Sequence, residues 1–117
     1  MRAGFHTVTP RIVVEDVVGL AEFIREVFDA TGDINLEAPT QLRIGDSLVM
    51  LSEAGARAVF PAFLYVYVED VDATVRRAVD AGAVSLEAVW DTPYGDRRGM
   101  VRDRWDNVWQ IATPQRG

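Results

Sequence analysis

Few side chains in this sequence are of a type that does chemistry, and most of them sit on strand-like segments. Arg11 interrupts the run Thr9-Pro10-Arg11-Ile12-Val13-Val14, placing a charge in an otherwise apolar strand. A planar guanidinium there suits recognition of a carboxylate or another anion. A salt bridge to Glu15, Asp103 or a second copy of the chain explains it equally well. Arg43, between Leu42 and Ile44, repeats the pattern, and an exposed hairpin charge is its plainer explanation. Phe63, Tyr65 and Tyr67 alternate with Leu64 and Val66, so period-2 geometry stacks three aromatic rings on one strand face. They form either the wall of a pocket for something flat or plain inter-sheet core. Gln41 and Gln110 add amide groups, while Trp90, Tyr94 and Trp105 border irregular stretches where a lid or stacking platform would sit.

Other chemistry is excluded by what the sequence lacks. No cysteine and no lysine occur, and all 12 basic residues are arginine, so thiolate sites, Schiff bases and Walker-type loops are impossible. With His6 as the lone histidine, a multi-histidine metal site cannot be built in one chain, and a surface contact is the simpler role for it. Ser47, Ser52 and Ser85 lie in no nucleophile elbow. Glu69-Asp70-x-Asp72 is better explained by helix capping than by metal binding. A formal charge of -6 and a pI near 4.6 match a polyanion poorly, and Arg97-Arg98 is too small a patch to offset them. The longest uncharged apolar run, Ala58 to Val68, contains Pro61 and is too short to span a bilayer, so a cytoplasmic location is expected.

The elements that must position these groups occur twice. Val14-Glu15-Asp16-Val17 returns as Val68-Glu69-Asp70-Val71, 54 residues later. Each copy ends an apolar stretch and opens a helical pattern. Asp16 caps the first, whose stripe is Val17, Leu20, Ala21, Ile24, Val27 and Phe28; Asp70 or Asp72 caps the second, with Val71, Val75, Ala78 and Val79. Gly32 and Gly82 are natural stops. Strands are expected over Ile34–Glu37, Gln41–Ile44 and Ser47–Leu51, then over Val84–Trp90, Gly99–Asp103 and Val108–Ala112. The hairpins turn at Gly45-Asp46 and near Asp106-Asn107, and Asp91–Gly99 is read as an irregular insertion. Parity places Ile12 and Val14 against the first helix, with Arg11 and Val13 opposite. Trp109 shares the helix-side parity of Ile111.

Strand–helix–three-strand units in tandem, with these motifs, resemble the vicinal oxygen chelate superfamily of glyoxalases, bleomycin-resistance proteins and extradiol dioxygenases. The opening Thr9 to Asp16 with Phe23, the hairpin Leu42 to Leu51, and Tyr94-Gly95-Asp96-Arg97-Arg98-Gly99 with Val101-Arg102-Asp103 and Trp109 resemble the bleomycin-resistance-like branch. The resemblance implies an α+β fold. Two tandem βαβββ modules, about 7–52 and 63–113 of a single domain over 1–117, form curled mixed sheets around a concave pocket with the helices outside. It also places the family's metal ligands at Thr9, Met50, Phe63 and Gln110, none of them an imidazole or carboxylate. The family turn Asp-Pro-aromatic-Gly becomes Asp103-Arg104-Trp105-Asp106, without the stiff proline and permissive glycine.

The expected function is metal-independent binding of a small, flat, partly anionic organic molecule. The expected binding residues are Arg11, Val13, Gln41, Arg43, Met50, Phe63, Tyr65, Tyr67, Trp90, Tyr94, Trp105 and Gln110, with no metal and no cofactor. A homodimer is expected, because strands apolar on both faces need cover. Two alternatives stand beside this: an enzyme of the same fold, and a protein-interaction domain with an unused pocket.

Overall fold

The computed structural model describes residues 6–55 and 57–115. The chain divides into two compact units, Met1–Pro61 and Ala62–Gly117. The architecture is α+β, with one helix and one mixed sheet in each unit.

In the first unit the elements run β1 (Arg11–Val14), α1 (Val17–Phe28), β2 (Thr40–Ile44) and β3 (Ser47–Glu53). The strand order is β1-β3-β2, with β1 parallel and β2 antiparallel to β3. The Asp16 carboxylate caps α1 by accepting from the Gly19 N–H at 2.9 Å. The whole expected stripe of α1, with Phe23 added, is buried, and Ile12, Val14, Leu42, Val49 and Leu51 are buried from the sheet. The helix ends at Asp29, which takes the left-handed conformation, φ 54°. Gly32 follows at φ 130°, where a Cβ would lie 2.3 Å from the Gln41 carbonyl oxygen, so a close backbone approach excludes any side chain there.

One expected strand does not form. Instead of a strand over 34–37, the first unit has a single bridge between Thr31 and Arg43. Local side chains take the backbone groups that a ladder would need. The Thr40 hydroxyl accepts from the Asn35 N–H and donates to the Asn35 carbonyl, and the Asn35 side chain accepts from the Glu37 N–H.

In the second unit the elements are β4 (Phe63–Tyr67), α2 (Val71–Asp80), β5 (Val84–Asp91), β6 (Asp96–Arg102) and β7 (Val108–Pro114), in sheet order β4-β7-β6-β5. Asp70, rather than Asp72, caps α2, accepting from the Ala73 N–H at 3.1 Å. The buried face of α2 is Val71, Thr74 and Ala78, while Val79 is exposed, a correction to the apolar stripe. Thr74 is accommodated because its hydroxyl donates to the Asp70 carbonyl at 2.9 Å. The helix packs closely over Gly99, where a Cβ would meet Val89 and Val75. The insertion expected over Asp91–Gly99 is shorter than that: Asp91 ends β5 and Asp96–Gly99 belong to β6.

The β6–β7 turn is organised by a buried carboxylate. Asp103, 3% exposed, accepts from the backbone N–H groups of Trp105 and Asn107, from the Asn107 amide, and from Trp109 Nε1 at 2.9 Å. Asp106, at φ 68°, supplies the left-handed residue that a glycine would otherwise provide.

Candidate functional site

Each sheet has a face turned away from its helix, and these open faces carry most of the expected binding residues. In the first unit, Arg11 is in register with Met50, and Met50 with Gln41, so three adjacent strands present a row Arg11–Met50–Gln41. Arg43 stands on the same face of β2, opposite Leu48. Val13 is buried, with Phe60 bridged to it: the Phe60 N–H donates to the Val13 carbonyl at 3.0 Å. Arg11, Val13, Arg57, Ala58 and Phe60 line a groove of about 450 Å³. The ion pairs found among the described residues include none to Arg11, Arg43 or Arg57. Glu15 is therefore not the partner of Arg11, and Asp103 is occupied by donors of its own unit.

In the second unit, the equivalent row is Tyr65–Gln110–Met100. Phe63, Tyr65 and Tyr67 share the open face of β4 and are exposed, as their parity implies. Their tips are engaged, however. The Tyr65 and Tyr67 hydroxyls both donate to Asp96 Oδ2, at 2.6 and 3.0 Å, with ring centroids 5.3 Å apart. Burial, and then the bond to Asp96, push the Tyr65 phenol up to about 12; for Tyr67 the bond to Asp96 is the main cause of an upward shift. Beside them Arg98 donates to both Glu87 oxygens, at 3.0 and 3.3 Å, and that pairing holds the Glu87 carboxyl below its ordinary range. Arg97 turns the other way and grips Asp72 of α2 and Asp91.

The three residues expected to make a lid are not gathered. Trp90 lies in β5, in register with Arg98. Tyr94 precedes β6, its ring 5.9 Å from the Arg98 guanidinium carbon, whereas Trp105 follows β6 in the Asp103 turn. Seven residues of extended strand separate the last two. Trp109 is fully buried core, and His6 donates from its ring to the Asp46 carbonyl. Sequence reasoning passed over Asp96, Glu87, Arg57 and Phe60. Asp96 has a signal in the sequence, since it alternates with Arg98 as same-face neighbours on a strand do.

The donor set at the four positions that the resemblance assigns to metal ligands does not suit a divalent ion. Phe63 has no donor atom, and a hydroxyl, a thioether and a neutral amide at Thr9, Met50 and Gln110 make weak ligands. Among the described residues, no group of three or more His, Cys, Asp and Glu side chains is placed to hold an ion. No helix of the described residues is long and apolar enough to cross a membrane.

Comparison with known proteins gives this architecture its family. The model of the Glyoxalase/Bleomycin resistance protein/Dioxygenase superfamily matches residues 5–111. The chain belongs to this superfamily. Curated relatives include uncharacterized proteins of Mycobacterium bovis and Mycobacterium tuberculosis, each 31% identical, covering 92% of this chain and 83% and 74% of theirs. Among solved structures, TioX from Micromonospora sp. ML1 has a TM-score of 0.78 at 21% identity, covering 93% of this chain and 98% of its own. A glyoxalase/bleomycin resistance protein/dioxygenase family enzyme from Burkholderia phytofirmans PsJN has 0.78 at 22%, covering 91% and 96%. At those identities the structural likeness establishes the glyoxalase-type fold.

Proposed function

We propose that this superfamily member binds a small, flat, anionic organic molecule on the open face of its first unit, without a metal. The observation that carries this reading is Arg11. It is exposed, in register with Met50 and Gln41, at the edge of an apolar groove closed by Val13 and Phe60, and no described carboxylate pairs with it. An unpaired guanidinium beside apolar surface offers an anion both charge and a planar fork. Arg57 adds a second positive charge to the same groove. The proposal extends to a homodimer of the bleomycin-resistance-like branch, located in the cytoplasm. The exposed Phe60, Phe63 and Tyr67 support an assembly that covers more apolar surface.

The test is calorimetric titration of the intact chain with a panel of aromatic carboxylates. Arg11→Ala should weaken the best of them by about 1.5–3 kcal/mol, as expected for loss of a charge-assisted hydrogen bond. Unchanged affinity in that variant would overturn the reading. The metal-independent half is checked by elemental analysis and melting. The purified protein should hold substoichiometric metal, and chelator should leave its Tm in place. Stoichiometric Zn, Fe, Ni or Mn, with melting lowered by chelator, would refute it.

A further inference from the structure

We propose that the open face of the second unit holds a separate site for an organic cation, an ammonium or amidinium group on a flat apolar body, anchored by Asp96. Three features of that face support it. The first is how firmly the carboxylate is placed. Thr92, buried, donates to the Asp96 carbonyl from both its N–H, at 2.8 Å, and its hydroxyl, at 2.7 Å, and that hydroxyl accepts from the Asp96 N–H. The two phenols then fix the side chain through Oδ2. An acceptor held at both backbone and side chain loses little freedom when a ligand arrives.

The second feature is charge. Arg97, next in sequence, is committed to Asp72 and Asp91 on the helix side, and Arg98, two residues on and on the same face as Asp96, is gripped by Glu87. No described cation pairs with Asp96, and no described donor reaches its Oδ1. Arg102, on the same face at the far end of β6, also pairs with no described acid, so it is Asp96 itself, not the whole face, that keeps an unpaired charge with one open acceptor. The third feature is the aromatic surface. With their hydroxyls pinned, Tyr65 and Tyr67 still present tilted ring faces, 60° apart, to solvent beside that acceptor. Such faces attract cations, and the unit already uses the arrangement internally, with Arg98 set over Tyr94. A divalent metal is a poor match, because it needs several oxygens and only one carboxylate oxygen is open. An anion of the kind proposed for Arg11 would meet repulsion here, so the two faces select opposite ligands.

The experiment is an NMR titration of the whole chain with benzylammonium and benzamidinium, using benzyl alcohol and benzoate as controls of similar shape. The cations should shift the amide signals of Tyr65, Tyr67, Thr92 and Asp96 saturably, and the two controls should not. Asp96→Asn keeps an acceptor for the phenols and removes the charge, and should weaken the cations by about tenfold or more. Arg11→Ala should leave their binding unchanged, which separates this site from the anion site. Should Asp96→Asn fail to give a folded spectrum, Tyr67→Phe serves instead: it keeps the charge and the ring while removing one of the two phenol donors to Oδ2, and cation binding should stay within about threefold of the parent. Equal binding of benzyl alcohol, an unweakened Asp96→Asn, loss of binding in a folded Tyr67→Phe, or no saturable shift would each overturn the proposal.

Discussion

The two units place different side chains on matching sheet positions. Arg11–Met50–Gln41 in β1-β3-β2 corresponds, strand for strand, to Tyr65–Gln110–Met100 in β4-β7-β6. In the first unit the open face carries guanidinium groups that pair with no described acid. In the second, Arg97 and Arg98 are both matched to carboxylates, Arg102 at the far end of β6 pairs with no described acid, and Asp96 is held by two phenols. Strand geometry thus decides which positions face outward, while local pairing decides which charge is left for a ligand. The cores differ in kind as well: the second unit buries Trp109, whereas α1 closes the first with aliphatic residues, Phe23 and Phe28.

The largest expected effect lies in the hairpin turns. The first unit turns in two residues, Gly45-Asp46, with Gly45 at φ 58° supplying the unusual backbone. The second uses the buried Asp103 instead. Asp103→Ala would strand Trp109 Nε1, the Asn107 amide and two backbone N–H groups in the interior, and should cost about 3 kcal/mol or more of stability. Asp46→Ala, at the matching but exposed turn, should stay within about 0.5 kcal/mol. Denaturant unfolding followed by tryptophan fluorescence checks the first, and circular dichroism checks both. Equal losses in the two variants would break the distinction between a glycine turn and a carboxylate-centred turn.

What the sequence showed, and what it hid, follows the same division. Both helices, their aspartate caps and the burial of Trp109 were legible, because 3.6-residue and 2-residue periodicities are set by backbone geometry alone. No strand forms over 34–37, although Ile34 and Leu36 alternate as a strand would, because Asn35 and Thr40 satisfy the backbone locally. Val79 stays exposed, against its apolar spacing, because α2 covers its sheet through a narrower face that includes Thr74. At the candidate site, parity correctly put Phe63, Tyr65 and Tyr67 on one face. It could not show that Asp96, some 30 residues away, takes the tyrosine hydroxyls, since that contact depends on the β4-β7-β6 order.

The smallest expected effect concerns those hydroxyls, and it sharpens the contrast because only the second unit contains tyrosine. The folded chain holds the Tyr65 proton up to about pH 12, against an ordinary value of 10.0. A raised folded value means the neutral phenol is favoured by the native state. Its contribution to stability is therefore complete below about pH 10 and disappears as pH climbs through 12. Tyr67 follows the same sign, with a different balance of causes: Asp96 leads for Tyr67, burial leads for Tyr65. Asp96→Asn should consequently return Tyr67 nearly to the ordinary phenol range while leaving Tyr65 partly raised. Carbon-labelled tyrosine NMR across alkaline pH, assigned with single Tyr→Phe variants, reads the two separately. If both phenols titrate unchanged in Asp96→Asn, the shared carboxylate is not what holds their protons, and the second unit's open face loses the feature that distinguishes it from the first.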